Sequence, residues 1–185
     1  MSLILASQSP RRKELLGLFG IPFTVRVADI DETMDNRARA YDEVGRVSRL
    51  KALAVPREHD DVVVAADTIV VCQGKILGKP RNEAEAVAML SLLSGKDHQV
   101  MTGMTVLKGN QCITCTEVTD LHFRELTTQE IARYVATGEP MDKAGAYGIQ
   151  GGAALFCERM NGDYYNVMGL PVCRLSQIFR QLGII

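Results

Sequence analysis

A run of five apolar residues, from Val62 to Ala66, constrains the fold of this chain more than any other sequence feature. Asp61 and Asp67 bound the run, and a continuous apolar segment of this kind is typical of a strand buried on both faces. Such a strand lies inside a sheet that helices cover, and a hydrophobic content of 46% is sufficient for that core. The run therefore predicts an α/β fold.

Strand and helix patterns follow one another along the rest of the chain. Strands are predicted at residues 3–6, 23–27, 61–71, 75–77, 99–107, 111–123 and 153–159. Helices are predicted at residues 10–19, 41–54, 82–93, 127–136 and 171–182, and residues 145–152 are glycine-rich and irregular. We expect a single domain over residues 1–185, with a mixed central sheet flanked by helices and a cleft between two lobes.

The bulk properties exclude several classes of function. A net charge of -1 gives no overall attraction to nucleic acid or to an anionic membrane, so any anion site must be a local cluster. No stretch reaches the roughly 18 apolar residues of a membrane span. Polar and charged residues from Gln8 to Lys13 interrupt the apolar start before it resembles a signal peptide. We therefore expect a cytoplasmic protein that binds neither nucleic acid nor membrane.

The segment from Ser7 to Leu16 joins a predicted strand to a helix and contains two serines, a proline and three consecutive cations. Free N–H groups and the positive end of the dipole at a helix N-terminus favour phosphate. Arginine adds bidentate hydrogen bonds that lysine cannot make. The same residues also suit a capped helix start with solvated cations, and the segment alone leaves both interpretations open.

Asp67 is the second informative residue, because it follows the apolar run directly and the strand pattern continues beyond it. A carboxylate at that place must be paired or functional, since burying an unpaired charge is costly. It could bind Mg²⁺ or accept a proton from water beside a phosphate. A structural aspartate at a strand end is the alternative.

Four further segments contain residues that suit phosphate, a metal or a base. Lys79 lies in a loop that precedes a helix, which again suits phosphate, although such loops are common on surfaces. Glu32, in an acidic loop, and Lys51, on a helix face, suit a metal and a phosphate, or else remain solvated. Gln150 lies in the glycine-rich loop and could contact the edge of a base with its amide. The isolated histidines His98 and His122 are predicted to line strand surfaces.

Together these residues resemble the Maf family of nucleoside triphosphate pyrophosphatases. The resemblance runs over almost the whole chain in ordered motifs, at residues 5–12, 31–33, 65–68, 78–80, 142–151 and 169–171. It implies a Maf/ITPase-like fold and hydrolysis between the α- and β-phosphates, which yields a nucleoside monophosphate and pyrophosphate. It also implies a divalent metal cation (Mg²⁺, Mn²⁺ or Co²⁺), a house-cleaning role and a homodimer.

The resemblance assigns roles to individual residues. Asp67 corresponds to the proton acceptor that activates water, and Glu32 to a residue near the metal, which Asp67 could also bind. The residues that match phosphate-binding positions are Ser7, Arg11, Arg12, Lys51 and Lys79. These roles agree with the chemistry of the side chains, because cations neutralise phosphate charge while a carboxylate aligns water.

Arg11, Thr68 and Gln150 occupy the positions that distinguish branches of the family. All three match the branch that acts on dTTP and UTP, and a neutral amide can pair with O4 and N3–H of a pyrimidine. The alternative within enzymes is 7-methyl-GTP hydrolysis, whose branch usually has an aromatic residue, Gln and Glu at these positions. A regulator of septum formation that acts partly without catalysis is the alternative from another class.

Overall fold

The computed structural model describes residues 2–35 and 37–185. The described strands are β1 (Leu3–Leu5), β2 (Phe23–Val25), β3 (Val62–Cys72), β4 (Lys75–Leu77), β5 (Asp97–Lys108), β6 (Gln111–Phe123) and β7 (Cys157–Asn161). The described α-helices are α1 (Pro10–Gly17), α2 (Ala40–Ala54), α3 (Glu83–Leu93), α4 (Thr128–Val135), α5 (Tyr164–Met168) and α6 (Val172–Gln181). Short 3₁₀ segments cover Glu139–Asp142, Ala144–Ala146 and Gly152–Leu155. The α/β prediction is confirmed.

The strands form one mixed sheet in the order β2-β1-β3-β5-β6-β7, and β4 pairs with β3 outside this path. β1 runs parallel to both neighbours, so that Leu5 pairs with Val25 on one side and with Val64 on the other. The β3–β4 and β6–β7 pairs are antiparallel. Within the described residues no helix is long and apolar enough to cross a bilayer.

Contacts divide the chain into two compact units. The first unit comprises Met1–Asp67, Thr102–Glu117 and Gly169–Ile185. Its core contains the apolar run of β3, in which every residue is at most 1% exposed. Ile4 of β1 and Ala52 of α2 pack in the same cluster. The prediction that this strand is buried on both faces is therefore confirmed.

The second unit comprises Thr68–Met101 and Val118–Met168. Its core includes an aromatic group formed by His98, Phe123, Tyr147, Phe156 and Tyr134, in which neighbouring rings meet edge to face at centroid distances of 4.7–6.0 Å. His98 lies on β5 and lines a strand face, as predicted, and this face is inside the core, since the residue is only 3% exposed. The Nε2 atom of His98 forms a hydrogen bond with the Tyr147 hydroxyl, which reduces the free-energy cost of burying the imidazole.

The structure differs from the predicted elements at two places. The strand predicted at residues 153–159 begins only at Cys157, because Gly152–Leu155 forms a 3₁₀ segment. Ala153 within this segment and Phe156 directly after it are both buried. Helix α5 was not predicted, since five residues are too few to show a helical period. The single domain and the cleft stay predictions.

Candidate active site

The end of β1 and the start of α1 hold Arg12 in place. Ser9 caps α1 by accepting a hydrogen bond from the Arg12 amide at 3.5 Å, and Pro10 occupies the first turn. The Arg12 guanidinium donates to the Ser7 hydroxyl at 3.2 Å and to the Gly169 carbonyl at 2.8 Å. The segment is therefore a capped helix whose arginine is oriented by two acceptors.

Charges around Arg12 decide what its guanidinium can bind. Burial lowers the pKa of Arg12, and the positive charge of Arg11 acts in the same direction. Asp67 and Glu32 act in the opposite direction, so both carboxylates lie within electrostatic range of the guanidinium. Two adjacent arginines with partial burial favour an anion, because an added negative charge relieves their mutual repulsion.

Lys51 connects the two carboxylates that the sequence analysis selected. Its ammonium lies 2.7 Å from Asp67 Oδ1 and 2.9 Å from Glu32 Oε2. The side chains of Lys51 and Asp67 are each only 14% exposed, whereas Glu32 is 57% exposed. Asp67 reaches this position from β3, and Lys51 from the last turn of α2. The first unit therefore brings all three residues together.

This carboxylate pair fits a divalent cation. Glu32 and Asp67 direct oxygen atoms at one positive group, which is how a hard cation such as Mg²⁺ or Mn²⁺ is bound. Among the described residues no three His, Cys, Asp or Glu side chains form a metal-binding group. Mg²⁺ commonly uses one or two carboxylates and takes its other ligands from water and substrate phosphates. Two carboxylates therefore suffice.

Two residues that sequence reasoning missed hold the Glu32 loop against α2. Arg46 donates to the Thr33 carbonyl at 2.8 Å, and Glu43 accepts from the Asp35 amide at 2.8 Å. Arg46 and Glu43 also pair with each other at 2.8 Å. Hydrogen bonds from Arg46 and from the Asp35 amide lower the pKa of Glu43. Their i,i+3 spacing on a predicted helix was the available signal, but it does not identify the loop that they bind.

The second unit contains the remaining predicted residues, Thr68, Lys79 and Gln150. Thr68 is half-buried on β3, while Lys79 and Gln150 are exposed in loops. The Gly145 amide donates to the Gly78 carbonyl at 3.0 Å, which joins the loop that carries Lys79 to the glycine-rich loop.

Gly145 also packs against β3. It has a φ of +68°, and a Cβ atom there would lie 2.7 Å from Val70 Cγ2, so only glycine fits. Both loops are therefore anchored at the part of β3 that begins with Thr68.

Comparison with known proteins places these features in a family. A curated relative from Bacillus cereus (strain AH820) is 49% identical over 183 residues, which cover 98% of this chain and 96% of the relative. A relative from Bacillus thuringiensis subsp. konkukian (strain 97-27) matches equally well, and both are named dTTP/UTP pyrophosphatase.

A solved structure and a family model extend the comparison. The structure of a HAM1 protein from Coxiella burnetii has a TM-score of 0.50 at 15% identity and covers 98% of this chain and 99% of that one. This likeness concerns the fold alone. A family model described as "Maf-like protein" matches residues 2–182. The chain belongs to the Maf family.

Proposed function

We propose that this protein is a nucleoside triphosphate pyrophosphatase that hydrolyses dTTP and UTP to the nucleoside monophosphate and pyrophosphate. The observation that carries the proposal is the Asp67–Lys51–Glu32 cluster, a partly buried carboxylate pair on one cation, near Arg12 in the same unit. Relatives named dTTP/UTP pyrophosphatase at 49% identity support the substrate class.

In this proposal Asp67 accepts a proton from the attacking water. Lys51, 2.7 Å from its Oδ1, fixes the orientation of that carboxylate. Ser7, Arg12, Lys51 and Lys79 bind phosphate oxygens and neutralise the charge that develops on them. Glu32 and Asp67 would hold the divalent cation (Mg²⁺, Mn²⁺ or Co²⁺), which would contribute further charge neutralisation.

Arg11, Thr68 and Gln150 select the substrate in this proposal. The Gln150 amide is exposed and carries both a donor and an acceptor, which complement N3–H and O4 of thymine or uracil. Modified pyrimidine nucleotides that keep this edge would also be accepted, which is consistent with a house-cleaning role. A cytoplasmic location, expected from the sequence, and a homodimer, implied by the family resemblance, complete the proposal.

Pyrophosphate release from a panel of nucleoside triphosphates tests the proposal. With Mg²⁺ or Mn²⁺ we expect turnover of dTTP and UTP above all others, including 7-methyl-GTP. Asp67→Asn should lower kcat by at least ~100-fold, the usual contribution of a general base, with a melting temperature near that of the wild type. The matched control is Asp60→Asn, an exposed aspartate outside the cluster whose replacement should leave kcat unchanged.

Three outcomes would contradict this assignment. Unchanged turnover of Asp67→Asn would remove the proposed base. Preference for 7-methyl-GTP would assign the enzyme to the other branch, and loss of all turnover in the wild-type protein would favour the non-catalytic regulator.

A further inference from the structure

The glycine-rich loop presents Gln150 on a tight turn, here called the Gln150 turn and defined as residues 148–152. The Gly151 amide donates to the Gly148 carbonyl at 3.0 Å, which closes the turn around Ile149 and Gln150. Ile149 is buried at 9% exposure, whereas Gln150 is exposed. The turn therefore has an anchored side and a side that faces outward.

Tyr134 and Glu139 bind the backbone at both ends of this turn. The Gly148 amide donates to the Tyr134 hydroxyl at 3.0 Å, and the Gly152 amide donates to Glu139 Oε2 at 3.1 Å. The Tyr134 hydroxyl in turn donates to Glu139 Oε1 at 2.8 Å. These three hydrogen bonds form a continuous chain from one end of the turn to the other, with Gln150 between the two bonded amides.

The Glu139 carboxylate fills the space next to Gly151. A Cβ atom on Gly151 would lie only 2.1 Å from Glu139 Oε1, so the carboxylate occupies the position that any other side chain would need. Lys143 donates to the Glu139 carbonyl at 2.7 Å and thereby holds the Glu139 backbone. The turn and its support therefore fit only when residue 151 is glycine.

Tyr134 is a rigid support because it belongs to the core of the second unit. It lies on α4, is 5% exposed, and its ring packs edge to face on Phe156 at 5.2 Å. Burial and the adjacent Glu139 raise the pKa of Tyr134, so its hydroxyl stays protonated and remains a donor. The Tyr134 hydroxyl can therefore donate to Glu139 while it accepts from the Gly148 amide.

We propose that Tyr134 and Glu139 are positioning residues that set nucleobase selectivity by fixing the Gln150 turn. The inference rests on the proposed function, in which Gln150 contacts the base. A side-chain amide discriminates between base edges only when its donor and acceptor are held in place, and small displacements of a positioned group are costly. Neither residue contacts the reacting phosphates in this proposal, so the effect concerns binding of the base rather than the chemical step.

Tyr134→Phe and Glu139→Gln test the inference while keeping the shape of each side chain. The first removes the central hydroxyl. The second replaces one carboxylate oxygen with an NH2 group, so that residue 139 can no longer accept from both the Tyr134 hydroxyl and the Gly152 amide. We expect KM for dTTP and UTP to rise about tenfold, the usual effect of losing one hydrogen bond of this strength, while kcat stays within about twofold. Tyr165→Phe, an exposed tyrosine of the same unit, is the matched control and should leave KM unchanged.

A double-mutant cycle with Gln150→Ala gives the readout that a merely structural role would not produce. In the Gln150→Ala background, Tyr134→Phe and Glu139→Gln should raise KM by less than about twofold, because the group they position is gone. Amide hydrogen exchange of Gly148 and Gly152 should accelerate in the Tyr134→Phe protein. Gly151→Ala, which displaces the carboxylate without removing a hydrogen-bonding group, provides a third variant should the first two fold poorly.

The outcomes separate the two proposals. Absence of dTTP and UTP turnover in the wild-type protein would contradict the proposed function. Normal turnover with a tenfold rise in KM that persists in the Gln150→Ala background would overturn the positioning role alone. Unchanged KM in all three variants would overturn it as well.

Discussion

Arg12 makes two hydrogen bonds from different nitrogens of its planar guanidinium, through Nε to the Gly169 carbonyl and through Nη1 to the Ser7 hydroxyl. We expect Arg12→Lys to lower kcat/KM for dTTP by roughly 10- to 100-fold, since a point charge on a flexible stem is not oriented by these acceptors. Pyrophosphate release measures the effect. Arg180→Lys, an exposed arginine of α6, is the control, and equal activity of both variants would contradict this role.

Single residues were predictable where their chemistry is local and unpredictable where it depends on a distant partner. Asp67 was identified because a carboxylate after a buried apolar run requires an explanation. The acceptor for Arg12 was not identified, because Gly169 lies 157 residues away in sequence and contributes a backbone carbonyl. Gly169 has a φ of +111°, a conformation that favours glycine. The sequence does not show which side chain donates a hydrogen bond to its carbonyl.

Helix α4 connects a local capping signal to the support of the Gln150 turn. Thr127 accepts a hydrogen bond from the Glu130 amide, and Glu130 accepts one from the Thr127 amide, so a complete capping box begins the helix that carries Tyr134. We expect Thr127→Ala to lower the free energy of unfolding by about 1 kcal/mol and Tm by about 2–4 °C. Thr128→Ala, an exposed neighbour with no capping role, should change both by much less in urea and thermal unfolding.

Elements with strong boundary signals were predicted closely. The helices capped by Asn82 and Thr127 begin one residue after each cap, because side-chain capping is encoded locally. The segment at residues 153–159 was predicted wrongly, since its apolar residues satisfy a strand pattern while the preceding glycines permit a 3₁₀ turn. Burial of Ala153 and Phe156, three residues apart, depends on tertiary packing that the pattern does not contain.

At the scale of the whole molecule, the two units divide the proposed chemistry between them. The boundary on β3 falls between Asp67 and Thr68, so the proposed base and a proposed selectivity residue are consecutive in sequence but belong to different units. Three strands, β3, β5 and β6, contribute residues to both units. The division is not complete, since Arg11, a proposed selectivity residue, belongs to the first unit and Lys79, a proposed phosphate ligand, belongs to the second.

The pH dependence of stability follows from the buried imidazole of the second unit. Burial lowers the pKa of His98 from 6.5 to about 4, so the folded protein holds this histidine neutral over a range in which the unfolded chain protonates it. Because the unfolded state binds more protons between about pH 6.5 and pH 4, the free energy of unfolding falls as pH is lowered through that window. The full shift corresponds to about 3 kcal/mol.

Urea unfolding at pH 7.5 and pH 5.0 measures about 2 kcal/mol of this loss before the carboxylates contribute. Groups such as Glu130, whose pKa is lowered from 4.5 to about 2, stabilise the fold above their unfolded pKa and lose that contribution only in more acidic solution. We expect His98→Gln to be less stable than the wild type at pH 7.5 but to lose much less stability on acidification, since glutamine does not titrate. His59→Gln, at an exposed histidine, should keep the wild-type dependence, and an equal loss in His98→Gln would contradict the assignment.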